Sequence, residues 1–553
     1  MKAMALAILI ACASVLTAAA ATEHHHSARR PPPAGPAPTT PLLDGLGPLH
    51  HPVSTKSFDA QRYFDQGLRL SFAFNHDEAY RAFEQASRLD TNLAMAYWGK
   101  ALVLGPNINL PMDEDHSKQA YQEIREAVRR SRSAPENERA YIAALAKRYA
   151  ADPKADRGAL DMAYKEAMGE LVKRYPDDLD AATLYAESAM DLRPWQYWTA
   201  DGRPNEGTED ILATLESVLR RDPQHMGANH LYIHAVEASP HPERALGAAH
   251  ALEGLTPGAG HLVHMPTHIY GRLGQHETSA HINAKAADVD REYIAKYKVE
   301  GVYPMMYYTH NLQFAAYSYT QAGDYKDAIH MGDQVTDRAL EMAKTMPMVE
   351  FATPTSTLIR IRFRRWTELT RAHEPPASSP YAHLMWRVGR GLAEAWTGRV
   401  ERAQNELRAV HAERQATPAD LLLGFSSARS VMGVAENLLA GRIDERKGRT
   451  SDAVEHLRRA VAMEDSLPYD EPPDWYLHTR ESLGGLYLRA GKWSDAEHAF
   501  REDLVKHPRN GRSLFGLAEA LKGQGRTIEA DLVREQFTQA WKIADVRLGV
   551  TDL

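Results

Sequence analysis

The stretch Leu483-Gly484-Gly485-Leu486-Tyr487-Leu488-Arg489-Ala490-Gly491-Lys492-Trp493-Ser494-Asp495-Ala496-Glu497-His498-Ala499-Phe500, closed by Pro508, decides the fold. Apolar residues recur at helical spacing on both sides of Gly491, so the segment reads as helix, turn, helix. Gly484 and Ala496 face each other across the turn, where a larger side chain would hold the two helices apart. Gly525 and Ala530 follow Gly491 and Ala496 at a distance of 34 residues, so the unit repeats. Earlier copies carry Gly441, Gly448, Ala453 and Leu457; Gly391, Gly398, Ala403 and Leu407; and Ala316, Gly323 and Ala328. Near the start, Gly67, Leu70, Ala79, Phe83 and Ala86 form another copy, closed by Leu89-Asp90.

This pattern resembles the tetratricopeptide repeat, in which positions 7, 8, 11, 15, 20, 24 and 32 of a 34-residue unit carry Leu483, Gly484, Tyr487, Gly491, Ala496, Phe500 and Pro508 here. The resemblance implies an all-α fold, a tetratricopeptide-like helical-repeat solenoid of stacked antiparallel helix pairs. It covers most of residues 58–544, with an irregular register across 105–220. No alternating apolar-polar pattern competes with it. The run Glu374-Pro375-Pro376-Ala377-Ser378-Ser379-Pro380 predicts a break between an N-terminal helical domain, 56–372, and a C-terminal array, 381–553.

The first residues read as a secretory signal over 1–21. Lys2 gives the positive end, Ala3 to Leu16 the apolar run, and Thr17 to Ala21 the small residues that suit cleavage near Ala20 or Ala21. Leu9-Ile10-Ala11-Cys12 superficially resembles a lipoprotein box, although the apolar run before it is short. Cys12 is the one cysteine, so a chain cleaved after it has no thiolate ligand, disulfide or cysteine nucleophile. The expected location is therefore periplasmic or secreted, with no stable membrane span after cleavage. Residues 22–55, with Pro31-Pro32-Pro33, prolines 36, 38, 41, 48 and 52, and histidines 24–26 and 50–51, read as a disordered linker.

Composition excludes some functions. Of the 553 residues 44% are hydrophobic and 25% charged, as in soluble globular proteins, and the net charge of -8 gives no basic patch for nucleic acid. There is no Gly-x-Ser-x-Gly, no phosphate-binding glycine loop and no dinucleotide fingerprint.

Histidine is the anomaly. The chain has 26, and 11 fall between His225 and His310. His230 and His234 form a His-x-x-x-His pair, as do His264 and His268, and residues four apart share one helix face. The second pair follows the first by 34 residues, one repeat. Both fall at repeat positions 5 and 9, which line the concave groove in the tetratricopeptide family, and His261 and His310 fall at position 2, also a groove position. These residues form a candidate transition-metal set for Cu, Zn or Fe: His230, His234, His264, His268 and His310, with His261 beside them. Glu237, nearly one turn after His234, is the candidate general base. Pro266 weakens the second pair, because a helix that starts there leaves His264 outside it. His76, Glu78 and Glu187 are candidates for a second wall, with Arg193-Pro194-Trp195 nearby and Met265, Met305 and Met306 as soft donors. A lone pair at this spacing is usually coincidence; repetition at the repeat period argues against chance, although duplication also produces it.

The block from His230 to Ser239, followed by His261 to Tyr270 and His310-Asn311, resembles exported bacterial tetratricopeptide proteins of unassigned role. The expected role is an exported scaffold that binds a protein or peptide in its concave groove and carries an embedded His-ligated metal. The alternative is a metal-dependent oxidoreductase or hydrolase on the same solenoid.

Overall fold

The structure, a computed structural model, describes residues 40–553. The signal segment, Cys12 and histidines 24–26 lie outside the described residues. Among those described, helix dominates; one short pair of strands, Leu422–Leu423 with Ser426–Ser427, is antiparallel. The chain forms two compact units, which meet in sequence at Ile269 and Tyr270. The expected break at 374–380 is not a boundary. One core in the second unit takes Leu358, Ile361 and Leu369 from before this run, and Tyr381, Leu384 and Met385 from after it. Prolines here shape a loop that the core spans.

The repeat is confirmed by how its small residues are used. In the second unit a methyl group on Gly484 would stand 2.5 Å from the Phe500 ring, and one on Gly516 would stand 2.2 Å from the same ring. In the first unit Phe83 is held in the same way between Gly67, at 2.6 Å, and Gly99, at 2.4 Å. Each phenyl is fully buried, so glycine at these positions is a packing requirement.

The turn within each helix pair is equally uniform. Gly323, Gly398, Gly448, Gly491 and Gly525 all have φ between 68° and 84°, the left-handed conformation that costs glycine nothing. Each is followed by an N–H that reaches back to close the helix: Asp324 to Tyr319, Arg399 to Glu394, Arg449 to Asp444, Lys492 to Tyr487 and Arg526 to Leu521, at 2.9 to 3.1 Å. The first unit builds the same turn with a different residue. Asn75 N donates to Leu70 O at 3.0 Å, but the left-handed position is Phe74, with φ 55°.

Residues 40–55, which composition assigns to the linker, are pinned to the first unit. Gln66 holds Leu43 N at 2.7 Å and Pro41 O at 2.9 Å. Ser54 Oγ donates to Glu138 at 2.7 Å, and Gly258 N donates to Gly45 O at 2.8 Å. His50 pairs with Asp65 at 2.8 Å, and the buried His51 pairs with Asp180 at 2.7 Å. Prolines keep this segment extended, and side chains of the helices satisfy its backbone.

Candidate functional site

The first unit gathers its histidines around the helix Met226–Val236, every residue of which is buried. Its N-cap is His225, whose Nδ1 accepts from Ala228 N at 3.2 Å. Gly227 admits the Phe72 ring to within 2.6 Å of where a methyl group would stand, which fixes this helix against Phe58–Phe72. That approach brings the Phe72 carbonyl to 2.7 Å from His230 Nδ1. His230 and His234 lie on one face with ring centroids 4.9 Å apart.

The other histidines come from Gly260–His264 and Pro266–Arg272. Pro266 interrupts the hydrogen bonding, as expected, but Met265 between the segments keeps helical dihedrals, φ -51° and ψ -38°. The turn therefore continues past the proline. His264 and His268 still share a face, with Nε2 atoms 2.6 Å apart.

One chemical rule organises the cluster. His230 Nδ1–H donates to the Phe72 carbonyl. His234 Nδ1 lies 2.8 Å from Glu237 Oε1, and His268 Nδ1 lies 2.6 Å from Glu237 Oε2. When an acceptor holds the Nδ1 proton, the neutral ring presents Nε2 as a lone pair. His230 Nε2 lies 3.1 Å from His261 Nε2, and His268 Nε2 meets that of His264. One nitrogen each from His230, His234 and His261 lies within 4.8 Å of the other two. Burial, with the neighbouring His234, holds the His230 pKa well below the ordinary imidazole range, so its ring is neutral at pH 7.

Two aromatic residues wall the cluster. Phe74 lies 4.5 Å from His230, 5.6 Å from His261, 6.1 Å from His234 and 6.1 Å from His76, measured between ring centroids. Trp195 stands edge-on to His234 at 5.2 Å. Both are left-handed, Trp195 with φ 63°, a conformation that costs a non-glycine residue about 1–2 kcal/mol. Phe74 carried a signal in the sequence: it stands at repeat position 15, where most units have glycine. Phe72, which acts through its carbonyl, carried none.

The groove expectation is corrected here. His230 and His264 are 0% exposed, His234, His261 and His268 are 2%, and Glu237 is 0%. These side chains are enclosed and do not line an open surface. Both carboxylate oxygens of Glu237 are engaged by imidazoles, which makes it an orienting acceptor.

The remaining candidates have varied surroundings. Half-buried His76 touches Phe74, and Asn107 Nδ2 lies 3.4 Å from its Nδ1; burial pushes its pKa to about 4. Glu78 pairs with Arg81 at 2.5 Å. Glu187 belongs to a carboxylate network with Asp191 and Arg148, in which Arg148 reaches Asp191 at 2.6 Å and Asp161 at 2.9 Å. Burial and the neighbouring Asp191 push the Glu187 pKa well above the ordinary carboxylate range. His310 belongs to the second unit, on helix Tyr307–Ala322, where its ring is 5.1 Å from Phe314.

No family model matches the chain, and no curated protein matches it. Solved structures similar to it include the human IFIT1 dimer with PPP-AAAA, at 13% identity and TM-score 0.34, covering 88% of this chain and 91% of that one. The P58(IPK) TPR domain is similar at 11% identity and TM-score 0.24, covering 85% and 99%. Both are helical-repeat proteins, and neither likeness bears on ligand or activity.

Proposed function

We propose that the chain is a helical-repeat scaffold whose first unit holds a transition metal on histidine, with His230, His234 and His261 as ligands and His264 and His268 adjoining. The observation that carries this reading is the set of Nδ1 acceptors. A carboxylate and a carbonyl orient His230 and His234 in this set and His268 beside it, which is how metal-bound histidines are held in place. Neutral imidazole donors without thiolate suit Cu, Zn or Fe. A partner protein or peptide would dock elsewhere on the helix pairs, because the histidines are enclosed. Export, from the signal read at 1–21, belongs to the same reading and is tested by the N-terminus of the mature protein, expected near residue 21 or 22.

The main test is metal content by mass spectrometry on protein without an affinity tag, with His24, His25 and His26 replaced by Ala. The expected result is near-stoichiometric transition metal that is lost in His234→Ala/His268→Ala. Metal-free protein after incubation with Cu, Zn and Fe would overturn the reading and leave a hydrogen-bonded histidine core.

A further inference from the structure

We infer that the cluster holds two metal ions and not one, a conclusion that rests on the metal-site reading above. The cluster contains two separate close approaches between Nε2 atoms, His230 with His261 at 3.1 Å and His264 with His268 at 2.6 Å. Two ligands about 2.0–2.1 Å from one metal stand about 2.9–3.3 Å apart when they are neighbours in its coordination sphere. Each approach is therefore close to the footprint of one ion, with a small opening needed at the tighter pair.

The two pairs are neighbours. His261 and His264 rings are 5.9 Å apart, and those of His234 and His268 are 5.5 Å apart. Each pair also has one imidazole fixed from behind, His230 by the Phe72 carbonyl and His268 by Glu237. His234 completes a three-histidine set at the first position and shares Glu237 with the second. Glu237 thereby couples the two positions as a common acceptor.

The ligand class that fits two adjacent nitrogen-ligated ions is a small bridging oxygen donor, such as hydroxide.

The test is copper loading of the full chain carrying the His24, His25 and His26 replacements, read by stoichiometry and by electron paramagnetic resonance. Two adjacent Cu(II) ions bridged by hydroxide are expected to bind as two equivalents and to lose most of the resonance intensity through coupling. His264→Gln is expected to lose one equivalent, and the remaining ion to give the full signal of an isolated Cu(II). A single equivalent in the unaltered cluster, or two equivalents with undiminished signal, would overturn the two-ion assignment and leave the metal-site reading standing. Absence of bound copper, zinc and iron would overturn both. Spectral intensity of the unaltered cluster decides the matter even where His264→Gln fails to fold.

Discussion

Phe74 and His230 meet edge to face with ring centroids 4.5 Å apart, and Phe74 pays for this position with left-handed backbone. Glycine would occupy the same turn without strain, as Gly491 does. Phe74→Gly therefore relieves about 1–2 kcal/mol of conformational cost while removing a buried phenyl whose loss costs about 3–5 kcal/mol. The expected net is a destabilisation of about 1–4 kcal/mol in urea unfolding. Faster metal release to a chelator should accompany it. Unchanged release would mean that the phenyl does not shield the histidines.

Glu237 offers a cleaner perturbation. Glu237→Gln keeps one acceptor oxygen for two imidazole N–H groups, so one histidine loses its orientation. Metal affinity is expected to fall about 10–100-fold, the usual cost of removing such an outer partner. Competition against a chelator of known affinity measures it, with circular dichroism expected to stay unchanged.

His51 and Asp180 provide a pH test away from the cluster. Burial alone would lower the His51 pKa, but the hydrogen bond and charge of Asp180 outweigh it and hold the pKa above the ordinary value of 6.5. Asp180, despite its own burial, is held well below 3.8 by hydrogen bonds from His225 and His51. The raised His51 pKa contributes stability that is fully present below pH 6.5 and is lost as pH rises through the folded value. The depressed Asp180 pKa contributes stability that is present above pH 3.8 and is lost in acid. Unfolding free energy measured from pH 5 to 9 should therefore lose this contribution on the alkaline side. Asp180→Asn should remove that dependence and cost about 3–5 kcal/mol at pH 6.

In the second unit, Gly484→Ala places a methyl group 2.5 Å from the Phe500 ring and is expected to cost about 1–3 kcal/mol. Phe500→Ala should cost about 3–5 kcal/mol. Thermal unfolding of both variants checks the packing, and a neutral Gly484→Ala would refute it.

Glu138 tests the pinned N-terminal segment. It accepts from both the N–H and the hydroxyl of Ser54, and it is 2% exposed. Glu138→Ala removes the acceptor of both bonds while water reaches the exposed Ser54, so the expected cost is about 0.5–1.5 kcal/mol. Limited proteolysis should then cut within residues 40–57 sooner than in the unaltered chain.

The helix pairs were legible because Gly484, Ala496 and Phe500 recur at a fixed spacing, and close packing enforces that spacing. The histidine set was legible for the same reason, since one repeat separates the two pairs. The enclosure was less so: Phe74 shows only as a phenylalanine at the glycine position of the repeat, and Trp195 acts through an unusual backbone angle that leaves no periodic trace. Residues 40–55 misled because proline and histidine are common in unstructured chain, whereas here the prolines set direction and the histidines find buried carboxylates. The run at 374–380 misled similarly, since a proline-rich loop marks a change of direction as readily as the end of a core.

The phenyl rings of Phe83 and Phe500 each press on two glycines, one in their own helix pair and one in the pair that follows. Neighbouring pairs are therefore riveted through a shared side chain, and the register of the motif is not a line along which the chain can be cut. Excising a pair would strand either a ring with half its socket or a socket without its ring. Shortened or extended versions of this protein would have to be spliced so that every rivet keeps both of its plates.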